Sequence, residues 1–184
     1  MSEQQFIRST APTLAGIKTG SLFPYHYASR DEAISELRSL NRRLAPKGLR
    51  LLPLRMREDF AMLYLYRPGQ LGADLRRRDA AVLLREAGYP ACDETACIRE
   101  LRRRLSEHED FPHEIGLFLS YPPEDVRGFI EHRGCGCKCV GCWKVYGDEK
   151  AARRKFAQYK RCTDRCLRRN ALGCPLECLT VKTA

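Results

Sequence analysis

Four cysteines fall within eight positions of the stretch GCGCKCVGCWKVYG, residues 134–147, and four more, Cys162, Cys166, Cys174 and Cys178, follow before the C-terminus. Cys135, Cys137 and Cys139 alternate, so an extended backbone would project their sulfurs to one side, and Cys139-Val-Gly-Cys142 adds a two-residue loop able to wrap a tetrahedral ion. Four thiolates select zinc, copper(I) or iron–sulfur over hard cations. The run is not a standard ferredoxin or zinc-finger spacing. In the second quartet the members of each pair, Cys162/Cys166 and Cys174/Cys178, are separated by three residues, which on a helix puts both sulfurs on one face. NALGCP between the pairs is a stop-and-restart signal, and a small helical hairpin would bring them together. The sequence therefore predicts Cys135, Cys137, Cys139, Cys142, Cys162, Cys166, Cys174 and Cys178 as metal ligands. Closed zinc sites would be structural, and an iron–sulfur cluster would permit electron transfer. The competing reading of the second quartet is two disulfides, Cys162 with Cys178 and Cys166 with Cys174. Cys92 and Cys97 lie apart and read as ordinary buried thiols.

The charge follows the cysteines. Residues 134–184 carry 12 Lys/Arg against 4 Asp/Glu, whereas residues 1–133 carry 21 against 19. Neighbouring Lys and Arg lower thiol pKa and favour the anion that binds metal, so the basic surplus suits a thiolate cluster. Nucleic-acid binding through a basic helix over 149–170 is the rival explanation of the same residues, with Arg153, Arg154, Lys155, Lys160, Arg161, Arg165, Arg168 and Arg169 on phosphates. Aromatic interleaving is thin there, with only Phe156 and Tyr159.

The N-terminal MSEQQFIRST has no secretory-signal pattern, and the longest apolar runs, such as AMLYLY, are far too short to cross a bilayer. The expectation is a cytosolic protein away from the membrane, where thiols stay reduced and disulfides are disfavoured. A chain of 184 residues with 43% hydrophobic and 30% charged residues is long enough to bury a core without metal or disulfides.

Outside the cysteines, His113-Glu114 pairs an imidazole with a carboxylate and is the candidate for acid–base work, in a small enzyme that would also use the loop at 11–23. The plainer reading is a turn histidine and a capping glutamate, since adjacent residues on a strand face opposite ways and no second histidine completes a zinc-protease pattern. GIKTG at 16–20 has Ile17 where a phosphate loop needs glycine before lysine, leaving at most a backbone anion site. Arg76–Arg78 and Arg102–Arg104 read as solvated helix faces.

These groups need elements to hold them. Ser29-Arg-Asp-Glu32 is a capping box, and Ala33, Ile34, Leu37, Leu40 and Leu44 keep helical spacing until Pro46-Lys-Gly48 ends it. Strands are predicted over about 49–56 and 60–66, with Pro53 placing the first at a sheet edge. GADLRRRDAAVLLREAGYP and DETACIRELRRRLSEHE have helical periodicity, and residues 9–27 read as an ordered loop or broken strand. HEIGLFLSYP is a strand or a buried helical turn, PPEDVRGFIEHRG a helix, CWKVYG a strand, and Asp148 caps a long basic helix to about Asn170. The predicted fold is α+β, a small mixed or antiparallel sheet with several helices and a Cys-rich C-terminal helical hairpin. It divides into an α+β core at 1–133 and a Cys-rich basic module at 134–184.

Three segments together, APTLAGIKTGSLF at 11–23, FPHEIGLFLSYPPEDVRGFI at 111–130 and WKVYGD at 143–148, resemble the uncharacterised bacterial family "domain of unknown function 3793", in the same order over nearly the whole chain. The resemblance implies a bacterial, anaerobe-associated cytosolic protein and brings no established activity. In that family the stretch before WKVYGD is polar and aromatic with few cysteines, so the resemblance implies that the thiol cluster is an elaboration of this member. The resulting expectation is a metal-binding protein, zinc or iron–sulfur, in metal handling or redox. Its alternatives are a nucleic-acid or partner-binding module with structural zinc and a small enzyme built on His113.

Overall fold

The computed structural model describes residues 1–90, 93–107 and 111–182. Nine α-helices, a three-stranded antiparallel sheet and a two-stranded sheet are found among the described residues, an α+β arrangement. The chain forms two units, one of residues 1–69 with 161–184 and the other of residues 70–160. The segment 134–184 is thus shared between them, and no described helix is long and apolar enough to cross a membrane.

In the first unit, α1 (Glu3–Leu14) starts at Ser2, whose side chain accepts from the Gln5 amide. It buries Phe6, Ile7, Thr10, Ala11 and Leu14 at helical spacing. Residues 9–14 are therefore helix, not the loop that their proline and threonines suggest. Pro12, two residues from the helix end, forfeits the one intrahelical bond its amide would have given to the Arg8 carbonyl, a loss the burial of this face outweighs. β1 (Gly20–His26) follows, then α2 (Arg30–Leu44) from its Ser29 cap, and a 3-10 turn (Ala45–Lys47) closed by Gly48 at φ 79°. β2 (Arg50–Met56) and β3 (Phe60–Tyr66) complete the sheet in the order β1-β3-β2. β3 is central and the most apolar, while β2 takes the edge with a register shift between Pro53 and Arg55, where the missing amide costs no ladder bond. Phe6 meets Phe23 edge-on with 5.7 Å between ring centres, and Leu63, Leu65, Cys166, Leu176 and Leu179 fill the same core.

One cation is buried there. Arg67, 1% exposed, donates to the carbonyls of Thr13 (2.8 Å), Leu14 (2.7 Å), Val181 (2.8 Å) and Lys47 (3.2 Å). The guanidinium closes the C-terminal end of α1, where helix carbonyls lack intrahelical partners. Burial pushes its pKa down.

The second unit takes in most of α3 (Pro68–Leu75), then α4 (Arg78–Glu86), α5 (Glu94–Glu107), α6 (Ile115–Phe118) and α7 (Pro123–Glu131). The ambiguous stretch at 113–122 resolves as the buried helical turn α6. α7 begins on Pro122-Pro123 and ends through Arg133 and Gly134, at φ 49° and 77°. A short hairpin follows, β4 (Cys139–Val140) against β5 (Lys144–Val145). Asp148 then caps α8 (Glu149–Ala171) by accepting the Ala151 amide at 2.9 Å. The last turns of α8 and all of α9 (Leu176–Leu179) belong to the first unit.

Candidate thiol site and its adjoining pocket

The thiol hairpin is held by one carboxylate. Asp125, in the first turn of α7 and 3% exposed, accepts from Trp143 Nε1 through Oδ2 and from the Tyr146 and Gly147 amides through Oδ1, each at 2.7 Å. The aligned amides of the helix start favour a negative charge at this position. Trp143 stacks on Tyr121 at 4.9 Å and receives Phe156 of α8 edge-on at 4.5 Å. Two glycines permit the approach: a Cβ on Gly128 would lie 2.5 Å from Tyr146, and one on Gly141 would lie 2.2 Å from Phe156. Asp125 was legible in the sequence only as a generic acid at a helix start; its three donors lie 18 to 22 residues away along the chain.

On this base Cys135 and Cys142 are exposed, Cys137 and Cys139 half-buried. The pKa of the Tyr146 hydroxyl is raised by its burial and then by the charges of Cys137 and Cys135. Arg153 is held protonated first by Glu149 and then by the charge of Cys139. Cys142 lies beside Tyr121 and Tyr159, both pushed up to about 12, mainly by burial. Strand alternation fails because pairing begins only at Cys139, and Gly134 and Gly136 turn the preceding backbone through φ 77° and 67°.

In the second quartet Cys162 and Cys166 on α8 do meet. Their thiols hydrogen-bond, which with burial pushes Cys162 up; the Cys162 thiol draws Cys166 down, helped by Arg169 and Arg165. Cys162 also reaches the Ala11 carbonyl at 3.6 Å. Cys174 lies in the turn before α9, where Arg169 approaches its sulfur at 3.4 Å, and Cys178 is exposed on α9. With α9 starting only at Leu176, Cys174 and Cys178 do not share a helical face, and the expected closure of the two pairs is not seen. Among the described residues no three His, Cys, Asp or Glu side chains gather where they could hold a metal ion, and no disulfide links the described cysteines. Cys97 is buried, with its thiol 3.4 Å from the Pro90 carbonyl; Cys92 lies outside the described residues.

His113 and Glu114 part company. The imidazole is exposed and meets Phe129 edge-on at 5.0 Å, whereas Glu114 is buried and pairs with Arg104 at 3.1 Å. Glu114 makes no side-chain cap on α6. Arg102 and Arg103 are solvated as the sequence suggests, but Arg104 is half-buried over the Tyr89 ring at 4.3 Å. In 16–20 no anion nest is open: the Ile17 and Lys18 amides both donate to the Pro12 carbonyl, and the Gly16 amide to Thr13. On α8, Phe156 and Tyr159 pack inward, so a nucleic-acid reading of this helix is confined to phosphate contacts.

Beside the hairpin lies a half-open cavity of about 340 Å³, walled by Phe111, Tyr121, Phe129 and Trp143 and reached by His113, Cys142 and Lys144. Sequence reasoning picked out His113 and Cys142 here but not the pocket.

These features define a small α+β protein whose thiol-bearing hairpin is clamped to the start of a helix. The sequence matches the family model described as "Protein of unknown function (DUF3793)" over residues 6–180, and the chain belongs to that family. No curated protein and no solved structure matches it.

Proposed function

We propose that the protein binds a soft metal ion, zinc or the iron of an iron–sulfur cluster, through the thiolates of Cys135, Cys137, Cys139 and Cys142. The observation that carries this reading is the shared surrounding of Cys135 and Cys137. The charges of both are felt at the Tyr146 hydroxyl, a buried O–H with no hydrogen-bond acceptor among the described residues. A buried donor left unpaired is costly, and a metal-bound thiolate is the acceptor it lacks, in the way outer groups orient metal ligands. Cys139 and Cys142 would complete the set by closure of the glycine-rich segment 134–142 around the ion, so that binding and local ordering are coupled. Cys162 and Cys166 supply a second, two-sulfur position whose Cys174 and Cys178 partners would have to move to reach it.

Purification without oxygen or chelators, followed by elemental analysis and a visible spectrum, tests the proposal. About one equivalent of zinc, or a coloured iron–sulfur protein, is expected from a four-thiolate site. Replacing the four hairpin cysteines by serine should remove it, while Cys174→Ser/Cys178→Ser should not. Metal-free, colourless wild-type protein would overturn the reading.

A further inference from the structure

We infer that the cavity beside the hairpin is a binding site for a flat aromatic molecule carrying a carboxylate. The cavity shares Val140, Gly141 and Cys142 with the thiol segment, but the inference does not require a bound metal. The volume, about 340 Å³, falls within the range of small-molecule sites. Its walls are aromatic faces, and they lie partly open: Phe111 is 40% and Val140 69% exposed, two of the few large apolar side chains the described protein leaves in water. Both line this one cavity, and covering them favours an apolar, ring-shaped occupant.

The charge of the occupant follows from the polar groups at its edge. Asp125 is the one carboxylate among the lining residues, and its oxygens are already engaged by three donors, so it offers little to a cation. Lys144 lies at the rim, 5.7 Å from the Phe129 ring centre, and uses one ammonium hydrogen on the Gly134 carbonyl at 2.8 Å. Two ammonium hydrogens remain to aim at a ligand. The His113 imidazole, also against Phe129, is exposed at the cavity edge, with no hydrogen-bond partner among the described residues. A ring between the aromatic walls with its carboxylate toward Lys144 satisfies both demands, and a charge-assisted contact of this kind is worth about tenfold in affinity.

The test is calorimetric titration of the full chain with 2-naphthoate and with its neutral counterpart 2-naphthalenemethanol, with quenching of Trp143, the single tryptophan, placing the ligand. The acid is expected to bind about tenfold more tightly than the alcohol, and Lys144→Met should abolish that preference while leaving alcohol binding in place. Val140→Phe, at an exposed position, should fill the opening and weaken both. Binding should persist in Cys135→Ser/Cys137→Ser protein, which separates the pocket from the thiols. Equal affinities, a preference that survives Lys144→Met, no binding of either compound, or loss of binding in the double serine variant would each overturn the assignment.

Discussion

At Asp125 a single carboxylate replaces water for an indole and two amides, and all three donors lie in the WKVYGD segment. Charged hydrogen bonds in a buried place are expensive to break, because the abandoned donors stay desolvated. Asp125→Asn keeps the shape but turns an amide N–H toward a donor. It is expected to cost about 3 kcal/mol in denaturant unfolding and to shift Trp143 emission to the red as the indole gains water. Unchanged stability and emission would show that the hairpin is held by its aromatic packing alone. The residues that carry this site were only half legible. Cysteine spacing announced the thiols, but an aspartate in PPEDV looks the same whether it caps its own helix or clamps a distant hairpin. Nor does spacing alone reveal that Gly134 and Gly136 would turn through positive φ before strand pairing begins at Cys139.

The elements were more legible where local chemistry decides them. The capping box placed α2, and crowded apolar residues between turns placed β2 and β3, with Pro53 correctly assigning the edge. α1 was missed because its proline and threonines argue locally for a loop; burial of Phe6, Ile7 and Leu14 in the core overrides them. α5 shows a charge pattern with a pH consequence. Glu100 accepts from Arg103 at 2.8 Å and from Arg104 at 2.7 Å, which holds its carboxyl down at about 2 from an ordinary 4.5. A carboxylate depressed on folding stabilises the folded state fully above its unfolded pKa, and that contribution fades as the pH falls from about 4.5 through 2. Wild-type protein should therefore lose more stability than Glu100→Gln over that interval in acid titrations followed by circular dichroism. Parallel losses would show that solvent screening cancels the pairs.

For the whole molecule, the α+β class could be read from the alternation of patterns, but the division into units could not. It depends on long-range partners such as the four carbonyls gathered by Arg67, which come from three separated stretches of sequence. The three family-like segments fall at such junctions. Thr13 and Leu14 in the first supply carbonyls to Arg67, and the second and third meet at Asp125. Arg67→Met retains much of the side-chain volume but leaves those carbonyls in the core without their donor. A loss of about 3 kcal/mol or more is expected in urea unfolding, with Arg67→Lys recovering only part of it because one ammonium cannot span the set. Full recovery by lysine would mean that charge, not the guanidinium's fork, is what the core requires.

Because Leu176 and Leu179 complete the core around Phe6 and Leu63, the first unit is assembled from two stretches far apart in sequence, 1–69 and 161–184. On a ribosome delivering residues in order, the intervening 70–160 stretch is finished first, while the earliest-made sheet waits with an apolar face uncovered. The apolar face of that sheet is completed only once residues 176–179 have been made.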